Sequence, residues 1–472
     1  MRPGPTTADG EDASGTTPAA SGARRRREDV LTLCPVCRRE VPPEALRRGD
    51  ALGHDVRALA ESNVPGWRPD QGLCAECEAR FAGAAEYLRQ HGRDPRMGGI
   101  LPTPVRLGAG DRFHGRGVTI AFLDAGFFAH PDLVEPRDRI VRYMDVTSGR
   151  QRRADLDRAD ESSWHGMMTS VVAAGNGRLS GGFYRGLASE ARLVLVKCGD
   201  ARRVPHDHIR RGLEWVLRNH RRYGIRIVNV SLGGDYEAPY LHDRLSQAAE
   251  RCTLAGLLVC AAAGNKGLEP GHPVLPPASA PSVLTVGALD DQNRLGFGTY
   301  GLYHSSYGPT IDGLQKPEVI APGIWVAAPI LPGTPTAAQA ALLHRLERSS
   351  DDELPAVLAA GSGIDADLDA AREREPDAVR ELIHAKVRQN NVITGDYKHV
   401  DGSSFAAPIV SSVAARMLEA NPSLAPQQLK HLLISTARRL GDVAVDRQGW
   451  GAIDPERAVL AALSLRPAPR KR

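Results

Sequence analysis

From residue 117 onward, short apolar runs alternate with longer stretches of helical periodicity. The run 117–123, Gly-Val-Thr-Ile-Ala-Phe-Leu, reads as a buried parallel strand that stops at Asp124-Ala125-Gly126. Runs at 193–196, 227–230, 257–262 and, more briefly, 283–286 repeat the pattern, and between them 207–219 and 241–254 carry helical spacing. Strands alternating with helices predict an α/β fold, a parallel sheet with helices on both faces. In such folds ligands meet the carboxyl ends of the strands, where Asp124 stands. Near the C-terminus, Ile409, Val410, Val413, Ala414 and Met417 recur at helical spacing after Asp401-Gly402-Ser403-Ser404-Phe405-Ala406-Ala407-Pro408. This predicts a buried helix starting near Ser404, with Pro408 in its first turn, where backbone N–H groups lack helical partners.

The alternation breaks over about 331–390. Apolar spacing there predicts helices over 336–348 (Ala338, Leu342, Leu343, Leu346) and 377–389 (Val379, Leu382, Ile383, Val387), a helical insertion beside the active face or a surface decoration. Residues 426–433 and 455–463 are predicted helices, the second capped by Asp454 with Pro455 at its first position.

Before residue 100 the pattern is different. Residues 1–28 are rich in Gly, Ser, Thr, Ala and Pro, carry Arg24 to Arg27, and read as a disordered tail. Cys34-Pro35-Val36-Cys37 and Cys74-Ala75-Glu76-Cys77 then form two C-x-x-C pairs. Each pair can put two thiolates on one ion, so Cys34, Cys37, Cys74 and Cys77 are the candidate ligands of a closed structural zinc site in a module spanning 29–95. His54 is an alternative ligand, and disulfides or unrelated thiols are the bland reading. Residues 78–92 predict a short helix with Phe81, Ala84 and Leu88 on one face. The main domain spans 100–465, and 466–472 is a basic tail.

With 472 residues, 42% of them hydrophobic, the chain can bury a large core. A formal charge of only +4 does not point to nucleic acid or to a membrane surface. No apolar run approaches the roughly 20 residues of a membrane span. Seven cysteines, an odd number, suit a reducing compartment, and with no apolar signal segment at the N-terminus a cytoplasmic location is expected.

A serine at a helix start is ordinarily a cap. Ser404 gains a chemical reading from residues elsewhere. His165, in Ser163-Trp164-His165-Gly166-Met167-Met168, also precedes an apolar helix and is a candidate general base. Asp124 could accept Nδ1–H of His165 and fix its tautomer while Nε2 takes the Ser404 proton. Asn265, after the strand-like 259–263 and Gly264, could donate its amide to an oxyanion.

These motifs resemble the subtilisin-like serine peptidases, the subtilases. The resemblance covers about 100–465 and rests on Thr119-Ile120-Ala121-Phe122-Leu123-Asp124-Ala125-Gly126 with His130-Pro131-Asp132-Leu133, then His165-Gly166, then Gly402 to Pro408, in the family's order Asp, His, Ser. Asn229 to Gly234, Ala262-Ala263-Gly264-Asn265 and Lys316 to Gly323 stand between as further landmarks. The resemblance implies a serine endopeptidase acting through an acyl-enzyme, with Ser231, Leu232, Gly233 and Gly264 binding the substrate backbone. Its substrates would be proteins or peptides, and a partner protein could engage the zinc module or the insertion. Calcium is common in the family, but no ligand set for it can be matched in the sequence. Ser403 stands where Thr is usual, Phe405 where Met is usual, and the stretch Gly166-Met167-Met168 lacks the family's second His. The competing expectation is a catalytically weak or regulated peptidase-fold interaction protein.

Overall fold

The computed structural model describes residues 31–93, 99–200, 202–295 and 300–466. The tail 1–28 and the basic tail after Arg466 lie outside the described residues.

Seven strands form the body of one sheet: β1 (Thr119–Asp124), β2 (Ile140–Asp145), β3 (Arg192–Lys197), β4 (Ile225–Val230), β5 (Leu258–Ala262), β6 (Leu284–Asp290) and the two-residue β7 (Gly301–Leu302). Their spatial order is β7-β6-β5-β4-β1-β3-β2, all parallel except β7, and a further parallel strand, β8 (Val319–Pro322), also pairs with β6. Strand order reverses at β1, whose neighbours are β3 on one side and β4 on the other. The crevice beyond the carboxyl ends of β1 and β4 is therefore the switch point where such sheets bind ligands.

Alternation along β1 divides the core in two. Ile120 and Phe122 face a layer containing α2 (Ser163–Ala174) and α7 (Ser403–Ala420). Ala121 and Leu123 face α3 (His206–Tyr223) and α4 (Arg244–Leu254). Both faces of β1 are buried, which is why its sequence is a continuous apolar run. Strand β2 escaped the sequence reading for the converse reason. It is the sheet's edge, with Val141 exposed and Arg142 interrupting its apolar positions.

The helices predicted at 336–348 and 377–389 are present as α5 (Pro335–Arg348) and α6 (Pro376–Gln389), joined by two shorter helices, Leu354–Ala360 and Ala366–Ala370. They close a small core of their own around Leu343, Leu346, Leu354 and Ile383. The whole element hangs from an antiparallel hairpin, β9 (Val326–Pro329) with β10 (Tyr397–Val400), and β10 leads directly into Ser404. Among the described residues, no helix is long and apolar enough to cross a membrane.

The cysteine-bearing segment makes two minimal hairpins, Thr32–Leu33 with Glu40–Val41 and Leu46–Arg47 with Leu73–Cys74. Helix α1 (Ala75–Gln90) starts immediately after Cys74, earlier than its spacing suggested, so Cys77 sits in its first turn rather than in a loop. Phe81, Ala84 and Leu88 are buried as expected. They share a core with Phe183, Tyr184 and Tyr397 of the sheet domain, and the Tyr87 hydroxyl donates to the Phe183 carbonyl at 2.7 Å.

Candidate active site

Three strand ends and two helix starts converge at the crevice. Asp124 is the last residue of β1 and is fully buried. Its Oδ1 accepts from His165 Nδ1 at 2.7 Å and from the Ala125 N–H at 2.8 Å. His165 lies in the first turn of α2, and its side chain is 19% exposed, so one edge of the ring is open to the crevice. Burial disfavours a charge on this imidazole. The Asp124 charge and hydrogen bond outweigh burial and hold the His165 pKa above the ordinary value.

Ser404 is the second residue of α7. Every other residue of that helix is buried except Glu419, so the nucleophile candidate is where the helix surfaces. Gly402, with φ of 141°, makes the turn into it, a conformation L side chains rarely adopt. The Ser404 hydroxyl donates to the Ser231 carbonyl at 3.4 Å, and no hydrogen bond joins it to His165 among the described residues. Phe405 packs its ring 5.7 Å from that of His165, bringing the two helix starts together. Trp164, 46% exposed, meets the other side of the imidazole edge to face at 5.2 Å. In serine-hydrolase triads the nucleophile–base bond is frequently long without substrate and tightens in the complex.

Pro408 corrects an expectation. The helix starts at Ser403, so Pro408 falls beyond the first turn and its missing N–H leaves the Ser404 carbonyl without its helical donor. The Ser231 hydroxyl fills the gap, donating to the Ser404 carbonyl at 2.8 Å. Ser231 in turn accepts from Asn229 Nδ2 at 3.0 Å, and Asn229 Oδ1 accepts from the Ser411 hydroxyl at 3.0 Å. This buried relay ties β4 to the start of α7. The sequence marks Asn229 as a landmark and Ser231 as a substrate-binding candidate, but it carries no signal for this relay or for Ser411, because the partners are far apart along the chain.

Asn265 is exposed at the rim. Its Oδ1 accepts from the Ser403 N–H at 3.1 Å and from the Ser403 hydroxyl at 2.8 Å. A backbone N–H can only donate, so the amide oxygen must face Ser403 and the NH₂ must face away. The segment after Gly264 is held by residues the sequence reading did not single out: His304 Nδ1 lies 2.9 Å from the Asn265 carbonyl, and Ser306 accepts from the Lys266 N–H at 3.2 Å. Ser231, Leu232, Gly233, Gly264, Asn265 and Ser404 line one cavity of about 270 Å³, together with Pro273 and Leu275. No residue of the helical insertion lines it.

Away from this crevice, the four cysteine sulfurs Cys34, Cys37, Cys74 and Cys77 all lie within 4.8 Å of one another. Cys34 and Cys77 are 3.8 Å apart and Cys37 and Cys74 are 3.7 Å apart. Those separations are far too long for disulfides. The cluster could hold a metal. It is the one group of three or more His, Cys, Asp or Glu donors so arranged among the described residues, and His54 is not in it.

The chain matches the Subtilase family over residues 115–451. It is 29% identical to Serine protease AprX of Bacillus subtilis (strain 168), over 74% of this chain and 68% of that protein. It is 26% identical to Subtilisin BL of Lederbergia lenta, over 73% of this chain and 91% of that one. Among solved structures, the fold is similar to the Clostridium perfringens CspB protease (TM-score 0.56, 14% identity, 78% and 98% covered). It is also similar to fervidolysin from Fervidobacterium pennivorans (TM-score 0.52, 21% identity), where the match covers 78% of this chain and 46% of that longer one.

Proposed function

The chain belongs to the subtilase family and is a serine endopeptidase, and we propose that Ser404 is its nucleophile, His165 its general base and Asp124 the acid that orients the base. The observation that carries this assignment is the 2.7 Å bond from His165 Nδ1 to buried Asp124, which leaves Nε2 as the free basic nitrogen at a crevice shared with Ser404. In the first step Ser404 Oγ bonds to the scissile carbonyl carbon while its proton passes to His165 Nε2. Collapse of the tetrahedral species breaks the C–N bond, and the imidazolium returns the proton to the leaving amine. Water then repeats the sequence on the acyl-enzyme. The reading that makes this chain a peptidase-fold interaction protein with little turnover is not favoured, because every triad side chain is present.

Asn265 Nδ2 is the oxyanion donor in this reading, its orientation supported by Ser403. Asn265→Ala is expected to lower kcat by about 10²–10³ with a small change in KM, measured on a chromogenic peptide. Ser231-Leu232-Gly233 and Gly264 take the substrate backbone as an added strand. Leu275 and Pro273 line the same cavity and offer apolar surface to a substrate side chain.

The base must be neutral to accept the serine proton. With its pKa above the ordinary imidazole value near 6.5, activity is expected to fall as pH drops through a midpoint above about 6.5, as a kcat/KM profile would show. Asp124→Asn removes what raises that pKa and leaves the burial that lowers it. The acid limb should then move to lower pH while turnover drops about 10⁴-fold.

The four cysteines are proposed to hold a structural zinc ion. Four thiolates about 2.3 Å from a tetrahedral zinc stand about 3.8 Å apart, close to the spacing of the two short sulfur pairs. A closed four-sulfur site offers no open position for chemistry. A reducing, cytoplasmic setting fits the same reading, since Cys198, Cys252 and Cys260 are buried free thiols. Fluorophosphonate labelling followed by peptide mapping tests the nucleophile. The label should fall on Ser404 and block casein digestion, and a label on any other residue would refute the assignment.

A further inference from the structure

Asp124 carries more than the bond to His165. Its Oδ1 already has two donors, His165 Nδ1 and the Ala125 N–H. Its other oxygen, Oδ2, has one partner among the described residues, the hydroxyl of Thr169 at 3.0 Å. Both Asp124 and Thr169 are fully buried, so bulk water does not compete for that oxygen. Thr169 is four residues beyond His165 on the same helix, hence on the same face. One helix therefore presents both the base and a second ligand for the base's own orienting acid.

The approach that makes this contact is built in. A Cβ at Gly166 would stand 2.1 Å from the Gly126 carbonyl and 2.8 Å from Asp124 Cβ. Only a residue without a side chain lets the first turn of α2 lie this close to the end of β1. The Thr169 hydroxyl has a second acceptor within reach, the Gly166 carbonyl at 3.2 Å. Its single proton goes to the carboxylate, which is charged and nearer, so that the stronger bond forms.

We propose that Thr169 is a positioning residue for the hydrolytic reaction, holding the Asp124 carboxylate in the plane that aims Oδ1 at His165. The carboxylate torsion of an Asp is intrinsically soft and roughly two-fold, so one hydrogen bond to Oδ1 does not fix the plane. A donor on Oδ2 does. It also draws off part of the charge that would otherwise act on the imidazolium. Asp124 is the charged group that faces His165, and the other titratable group against Asp124 is the Cys198 thiol, which burial keeps protonated. This inference rests on the triad assignment above, and its test separates the two.

The test compares Thr169→Val, close in shape but lacking the hydroxyl, with Thr169→Ser, which keeps it. With the Val variant, kcat on a peptide substrate should fall about tenfold or more with KM within about twofold. The acid limb of kcat/KM should move to higher pH, because the carboxylate has lost a competing donor and leans harder on the imidazolium. The Ser variant should recover most of kcat and the original limb. The proton NMR signal of His165 Nδ1–H supplies a readout free of turnover. It should move in Thr169→Val and return in Thr169→Ser. Should the Val variant fold poorly, Thr169→Ala with the same NMR measurement serves instead. A Val or Ala variant that melts earlier but keeps the wild-type limb and proton signal would overturn the proposal, since Thr169 would then be packing alone. Full activity in Ser404→Ala would instead overturn the triad assignment.

Discussion

Ser404→Ala is expected to lower kcat on a chromogenic peptide by about 10⁶-fold, the size of the loss when the triad serine of subtilisin is removed. At 1.36 kcal/mol per decade, that is about 8 kcal/mol of transition-state stabilisation. The loss should be chemical and not structural. The serine side chain lies at one of the two points where α7 is not buried, and its hydroxyl makes only a 3.4 Å bond to Ser231. Its removal opens no cavity, so the stability change should stay within about 0.5 kcal/mol. Because the triad acts as a unit, adding His165→Ala to Ser404→Ala should cost almost nothing more. Peptide kinetics with a thermal melt on the same sample decide the matter. A Ser404→Ala protein retaining more than a few per cent of turnover would remove Ser404 from the chemistry.

Stripping the proposed zinc from the four-cysteine cluster, or replacing Cys74 by Ser, is expected to unfold the segment 31–93 and to weaken the sheet domain against it. The segment's hairpins have two-residue strands, too short to hold themselves together. A structural zinc contributes an apparent 10–16 kcal/mol, about as much as the whole stability of an ordinary domain. The effect should spread, because Phe81 and Leu88 share their core with Phe183, Tyr184 and Tyr397, and Tyr397 lies on the strand that leads into Ser404. Elemental analysis should find about one zinc per chain, and chelation should raise amide exchange first across α1. A metal-free protein with α1 fully protected would defeat the zinc assignment.

Much of this molecule is legible along the chain. Strand β1 is apolar on both faces because both faces are covered, so its position and its terminal Asp124 follow from local pattern. The helix starts at His165 and Ser404, the predicted helices of the insertion and the two C-x-x-C pairs are likewise written in runs of adjacent residues. Edge strand β2 was not legible, since half of it faces water and its apolar signal is diluted by Arg142. The first turn of α7 was misjudged at Pro408 because a sequence does not reveal that a hydroxyl from another strand supplies the missing donor.

What the sequence determined by itself is therefore chemical identity and local form: which residues can act as nucleophile, base, acid and thiolate ligand, and which stretches must be strand or helix. The tertiary structure alone decided who meets whom. It brought Thr169 to the free oxygen of Asp124, Ser403 to the Asn265 amide, Ser231 to the Ser404 carbonyl, and the cysteine segment onto Tyr397. The reason is physical. Periodicity is set by neighbours a turn or a pleat away, whereas hydrogen bonds between distant residues depend on how whole elements pack.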